Sequence, residues 1–310
     1  MTLKQTTGAW TAIEEEASWC DTSTFVPTGM HIINSWEINP PAPNKEKILG
    51  QERFPTHTTV GIKQMVENTF TTDNLWNLRP IYFCLGSGDY TDGTGSIVKS
   101  NTPKNFKVFF RDDYGNERTL RGCRINSLTI NVDPNRDLIN YEYTFTSADI
   151  DAGDSGQVSK PTTISDKVKA SDGTYTLKKN GTTISDHFMG GSLKIGNNLK
   201  TDVPDVENKR MYQPPVSNLS IEHEGDYWID SANNFMLSYE SGATGEYVLD
   251  WDIKDSNNTG IQVVVSGLQI MDYNDKAPAI TESIVSQSIT LSESEDTSIE
   301  VSSIALPDFT

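Results

Sequence analysis

The side chains best suited to chemistry are a Gly153-Asp154-Ser155-Gly156 tetrad, four histidines and a run of aspartates. A serine nucleophile needs an imidazole base within hydrogen-bond reach and a carboxylate to orient it. His31, His57, His187 and His223 are scattered, and none has neighbouring sequence that would deliver it to Ser155. The tetrad therefore reads as part of a flexible connection. Asp149, Asp151 and Asp154 open like a calcium loop, but glycine falls at the fifth position and the twelfth-position glutamate is missing. Solvated linker carboxylates are the simpler reading. Gly86-x-Gly88 follows the apolar run Ile81 to Leu85, read here as a strand, and lacks the third glycine and the helix that a dinucleotide phosphate requires. It is a turn. Neither the histidines nor Cys20, Cys84 and Cys123 show metal-ligand spacing, and an odd cysteine count without C-x-x-C indicates reduced, packed thiols. Tyr227 and Trp228 could stack on a sugar ring, although packing at a strand end is the commoner role. No active site, metal set or cofactor site emerges.

Composition narrows the classes further. The chain has 310 residues and a formal net charge of -18, which argues against a surface built to grip a phosphate backbone. Acidity serves solubility, and it also suits a wall that must not hold a polyanion passing close by. The N-terminus has no basic start followed by an apolar run, so no signal peptide is expected, and Ile81 to Leu85 is too short to cross a bilayer.

Those residues sit in a pattern stated twice. Ser35 to Leu78 reads against Ser192 to Leu237, and Phe106 to Thr146 against Tyr247 to Leu291. Ser35 aligns with Ser192, Leu128 with Leu268 and Tyr143 with Gln287. Order is kept where identity is not, which points to a duplicated domain. The expected boundaries are a first domain over 1–150, a Gly/Ser/Thr-rich linker over 151–169 and a second domain over 170–310.

Each half is built of period-two segments. Val60, Ile62 and Val66, then Phe106, Val108 and Phe110, then Leu128, Ile130 and Val132, then Tyr141, Tyr143 and Phe145 alternate with polar or small residues, as half-buried strands do. Asp112 to Asn116 and Asp255 to Asn258 read as hairpin turns, and Ser171 to Ser185 as a small hairpin. Short helices are expected at Thr72 to Leu78 and at its counterpart before Leu237. The tail from Ser292 reads as an acidic arm or strand extension outside the core. The fold class is all-β with short helices.

The order of elements in each half resembles the tail-tube proteins of long-tailed phages and related tailed viruses. The residues that carry the likeness are Phe106-Lys-Val-Phe-Phe-Arg-Asp-Asp-Tyr-Gly, Leu120-Arg-Gly-Cys-Arg-Ile-Asn-Ser-Leu-Thr-Ile and Asp137-Leu-Ile-Asn-Tyr-Glu-Tyr-Thr-Phe. The resemblance implies two tandem β-sandwich domains, three chains to a pseudo-hexameric ring, and inner sheets joined into a barrel. Implied partners are further copies of the chain, a tape-measure protein, a tail-tip or baseplate hub and a tail terminator. Viral DNA would pass through the lumen without specific binding, and no membrane is involved. Assembly would take place in the host cytoplasm and the product would reside in the virion tail. A two-domain carbohydrate-binding or adhesion module is the alternative.

Two sets of residues follow from that picture. The inserts Asn39 to Phe54 and Gly196 to Tyr212, with Lys45, Lys47, Asp202, Asp205 and Lys209, are expected to reach the adjoining ring. The carboxylates Glu222, Glu224, Asp250 and Asp252 are expected to share the polar faces of their strands and look into the lumen, with Glu67 and Glu142 matching them in the first copy. An acidic outer surface is the competing placement.

Overall fold

Alternation makes strands in this chain because one face of each can be buried while the other stays wet. The structure, a computed structural model, describes residues 9–23, 31–41, 43–49, 55–73, 78–88, 95–100, 102–152, 168–185, 188–205, 207, 210–216, 218–228, 247–255, 257–276 and 286–304. The first half runs β1 (Trp10–Glu15), β2 (His31–Ile32), β3 (Ser35–Glu37), β4 (Pro43–Leu49), β5 (Pro55–Lys63) and β6 (Val66–Thr72). It continues through α1 (Arg79–Leu85), β7 (Gly86–Gly88), β8 (Ser96–Lys99), β9 (Phe106–Arg111), β10 (Glu117–Asp133), β11 (Leu138–Ser147) and β12 (Asp149–Ala152). After a 3-10 turn at Ala170–Asp172, the second half adds β13 (Thr174–Lys179), β14 (Thr182–Ser185), β15 (Phe188–Gly196), β16 (Pro204–Asp205) and β17 (Arg210–Met211). It ends with β18 (Ser220–Trp228), β19 (Tyr247–Lys254), β20 (Gly260–Lys276) and β21 (Ser286–Ile304). All strand pairings are antiparallel.

The two halves pair their strands in one order. In the first it is β3-β6-β11-β10, with β9 on the early part of β10. In the second it is β15-β18-β21-β20, with β19 on the early part of β20. The turns agree in detail: Asp112 and Asp255 each accept, through Oδ1, the N–H groups two and four residues ahead. Each long strand also bulges at a left-handed glycine, Gly122 (φ 60°) and Gly267 (φ 77°).

Pairing corrects the alignment read from the sequence. It sets Glu37, not Ser35, at the place of Ser192; Cys123, not Leu128, at that of Leu268; and Tyr141, not Tyr143, at that of Gln287. A two-residue slip keeps every side chain on its face, so alternation cannot detect it, and a bulge breaks the parity within β10.

Each half is a sandwich. β10 pairs with β9 and β12 through residues 117–123, then with β11 through 124–133, so one strand serves both layers. Across the first core Phe110 stacks on Phe70, with centroids 5.5 Å apart; across the second Trp251 meets His223 edge-on at 5.4 Å. One apolar cluster, from Ala9 to Val301, runs through both.

Among the described residues, two strand pairings join the halves. β10 pairs with β15, from Ser127 opposite Gly196 to Val132 opposite Gly191. β8, which follows α1 and β7 in the first half, pairs with the end of β21, Glu300 opposite Val98.

Several expectations change. Ile81 to Leu85 is helix, not strand: Pro80 fits the first turn, where no N–H is needed, and Gly86 (φ 91°) caps the end with its N–H on the Tyr82 carbonyl. Of the predicted helix, residues 74–77 lie outside the described residues, as do residues 229–246 in the second half. β9 is buried on both sides, including Lys107, which ion-pairs with Glu14 at 3.2 Å. Val60 to Val66 is split between β5 and β6, and β4 and β5 pair with each other within and beyond the first insert. The tail is the strand β21, whose Ile299 and Val301 are core residues. β12 takes up residues 151–152 of the expected linker; residues 153–167, with the Gly-Asp-Ser-Gly tetrad, lie outside the described residues. The hairpins at Asp112, Asp255 and Thr174–Ser185 form as read.

Candidate functional site

The β10–β15 junction makes one sheet of eight strands, β3-β6-β11-β10-β15-β18-β21-β20. Opposed residues in an antiparallel sheet share a face, so the registers can be read across it as rows. One row is Thr71, Glu142, Thr129, Lys194, Glu222, Ser292 and Gln269. The next is Asn140, Asn131, Ser192, Glu224, Thr290 and Asp272. Apolar side chains are missing from both. On the reverse face Phe70, Tyr143, Leu128, Ile195 and Ile221 enter the core.

The sheet therefore presents a broad, hydroxyl-rich and acidic surface. Glu67, Glu142, Glu222 and Glu224 are all exposed on it, and Glu67 and Glu222 hold the same place in the two halves. Glu142 matches Ser288 instead. Glu37, Asp226 and Lys194 belong to this face and were missed from sequence, although alternation along 35–37, 192–196 and 220–226 carried the signal.

Asp250 and Asp252 do not join them. They lie on β19, whose Trp251 packs inward against His223 of β18, so the two pairs of carboxylates occupy opposite outer faces of one sandwich. Asp250 is engaged: against the burial that would raise it, hydrogen bonds from Lys178 at 2.7 Å and Gln262 at 2.9 Å hold its carboxyl below the usual range. Lys45 and Lys47 lie on β4, Asp202 is exposed and Asp205 lies on β16; Lys209 is outside the described residues.

Polar groups pin the junction. Asn197 Nδ2 donates to the carbonyls of Cys84 and Ile125, both at 3.0 Å. Arg124, buried without a carboxylate, donates to the carbonyls of Pro103 and Pro214 and to Asn105 Oδ1, and its burial lowers its pKa to about 10. Trp19 Nε1 donates to Met211 O, so the returning arm of the second insert lies on the first half. The links to Cys84, Ile125, Pro214 and Met211 have no sequence signature, because each is a contact across the halves.

Glu16 is a second buried charge site. It accepts the N–H groups of Gly122 at 2.9 Å and Cys20 at 3.2 Å, but burial outweighs them and Lys107 and Arg121, raising its pKa to about 8. Between pH 4.5 and 8 the folded state alone keeps this proton, so stability falls as pH rises through that window, by at most about 1.4 kcal/mol per unit. His223 acts the other way. Burial lowers its pKa to about 4, and stability is lost as pH falls from 6.5 towards 4. Above pH 6.5 the His223 contribution is complete, while that of Glu16 continues to fall. We expect the melting temperature to fall between pH 6.5 and 8 and to be flat there in Glu16→Gln; an equal fall in both proteins would refute the assignment.

The geometry defines a β-sandwich scaffold with a continuous polar sheet, and among the described residues no group of three or more His, Cys, Asp or Glu is placed to hold a metal. A family-level comparison matches residues 12–289 to the phage tail tube protein family. The match covers most of the chain, which therefore belongs to that family, as a structural protein of the virion tail that self-assembles into a tube. The family is not one of enzymes. A search of curated proteins found no match.

Proposed function

We propose that three copies of this chain close into a ring of six similar sandwiches, that rings stack into the tail tube, and that the genome is ejected through it. The observation that supports this reading is the β10–β15 pairing, which already fuses two sandwiches into one sheet. Repeating that joint between chains extends the sheet into a closed barrel and leaves no edge exposed to aggregation. The units are a first domain that ends with β12, a linker after Ala152 and a second domain over 170–310.

The polar face lines the lumen. In a ring of three chains Glu67 and Glu222 supply six carboxylates at one level, and like charge keeps the passing polyanion off the wall. The inserts reach the adjoining ring. A tape-measure protein fills the growing tube, a tip or baseplate hub starts it and a terminator ends it, all in the host cytoplasm.

Electron microscopy of the purified chain, with an initiator complex, tests the reading. The expected particles are threefold rings with strong sixfold pseudo-symmetry, stacked into tubes, and isolated rings when both inserts are cut to tight turns. A chain that stays monomeric beside its initiator would overturn it.

A further inference from the structure

The internal joint between the halves is a template for the joint between chains. β15 occupies the place of β3, and the later part of β20 that of the later part of β10. Inside the chain those strands meet with Thr129 opposite Lys194 and Asn131 opposite Ser192. At the two ends of the sheet their counterparts form the edges: among the described residues, 274–276 of β20 have β21 as their strand partner, and β3 has β6.

Carrying the register across, Lys194 corresponds to Asn39 and Ser192 to Glu37, while Thr129 corresponds to Asn274 and Asn131 to Lys276. We infer that the ring closes by antiparallel pairing of the β3 edge of one chain, through Glu37 to Asn39, with residues 274–276 of β20 of the next copy, Asn39 facing Asn274 and Glu37 facing Lys276. This rests on the ring reading above and adds which edges meet and in what register.

Three features favour a second copy as the occupant. The last pair sets opposite charges across the joint, an arrangement that stabilises strand pairs. The bulge residue Met271, 53% exposed here, holds the place of Asn126, which at the internal joint receives the N–H of Asn197 and of Leu199. Past Asn39 the edge ends at Pro40-Pro41, where the internal joint has Ile195 and Gly196. Proline has no N–H to donate, so the pairing stops there and sliding is penalised.

Engineered disulfides test the register, since the native cysteines Cys20, Cys84 and Cys123 are buried. Tubes of the Asn39→Cys, Asn274→Cys double variant should oxidise to covalent dimers and trimers on a non-reducing gel. The Asn39→Cys, Asp272→Cys variant, displaced by two residues, should crosslink at least about tenfold more slowly, because its Cα atoms would lie near the upper limit of disulfide geometry. Tubes in which the first pair stays monomeric, or the displaced pair reacts faster, would overturn the register and leave the ring reading intact. A wild-type chain that forms no rings would overturn the ring reading itself. If the first pair blocks assembly, Glu37→Cys with Lys276→Cys reads the same register.

Discussion

Valine in place of Gly122 is expected to lower stability by roughly 2–6 kcal/mol, the sum of left-handed backbone strain and overpacking. Gly122 has φ 60° at the point where β10 leaves one layer for the other. A Cβ there would collide with Cys20 Sγ and press on Ala148 Cβ and Trp19 at 3.1 Å. The Gly122 N–H also binds Glu16, so any backbone shift loosens a second buried contact. Gly267 is the equivalent bulge, with the Asp296 carbonyl oxygen 2.8 Å from an added Cβ, and the same direction of effect is expected. Gly181 separates the two causes, because its φ is 78° but nothing lies within 4 Å of its Cβ. Urea unfolding of Gly122→Val and Gly181→Val decides the matter. Equal losses in both would show that strain alone operates and that the bulge is not crowded.

Charge reversal on the polar face is expected to leave the fold intact and to slow DNA ejection by about tenfold or more at low salt, with recovery as screening increases. The variant carries Lys at 67, 142, 222 and 224. All four side chains are exposed, so the fold has little to lose, while each ring exchanges twelve negative charges for twelve positive ones in the three-chain assembly. Asp250→Lys with Asp252→Lys is the matched control on the other outer face of the second sandwich. It should cost the Lys178 ion pair and leave ejection unchanged. Normal low-salt ejection through tubes carrying the first set would remove the polar face from the lumen. Slowed ejection with the control alone would place the lumen on the β19 side.

The outward carboxylates were legible because alternation records which side of a strand is wet. It does not record which wet side that is. Glu222 and Asp250 look alike in sequence, each flanked by core residues, and they separate only when Trp251 and His223 meet across the sandwich. Ile81 to Leu85 shows the same limit from inside the core. Five apolar residues suit a buried strand or a buried helix equally well, and the choice falls to Pro80 and Gly86 at the ends. β21 had an acidic, serine-rich surface pattern that hid Ile299 and Val301, which are buried between the exposed Ser298 and Glu300 and their neighbours.

By itself the sequence determined the strand-rich class, the repeated order of elements, the hairpin turns and the surplus of negative charge, all of which depend on near neighbours or on composition. Tertiary structure alone decided the register of the repeat, the layer each strand occupies, the sheet that crosses from one half to the other, and which carboxylates share a face. Those features are set by contacts such as Ser127 with Gly196 and Asn197 with Cys84, between residues far apart in the chain. A period of two is blind to a two-residue slip and to the choice between outer faces, so only packing could settle them.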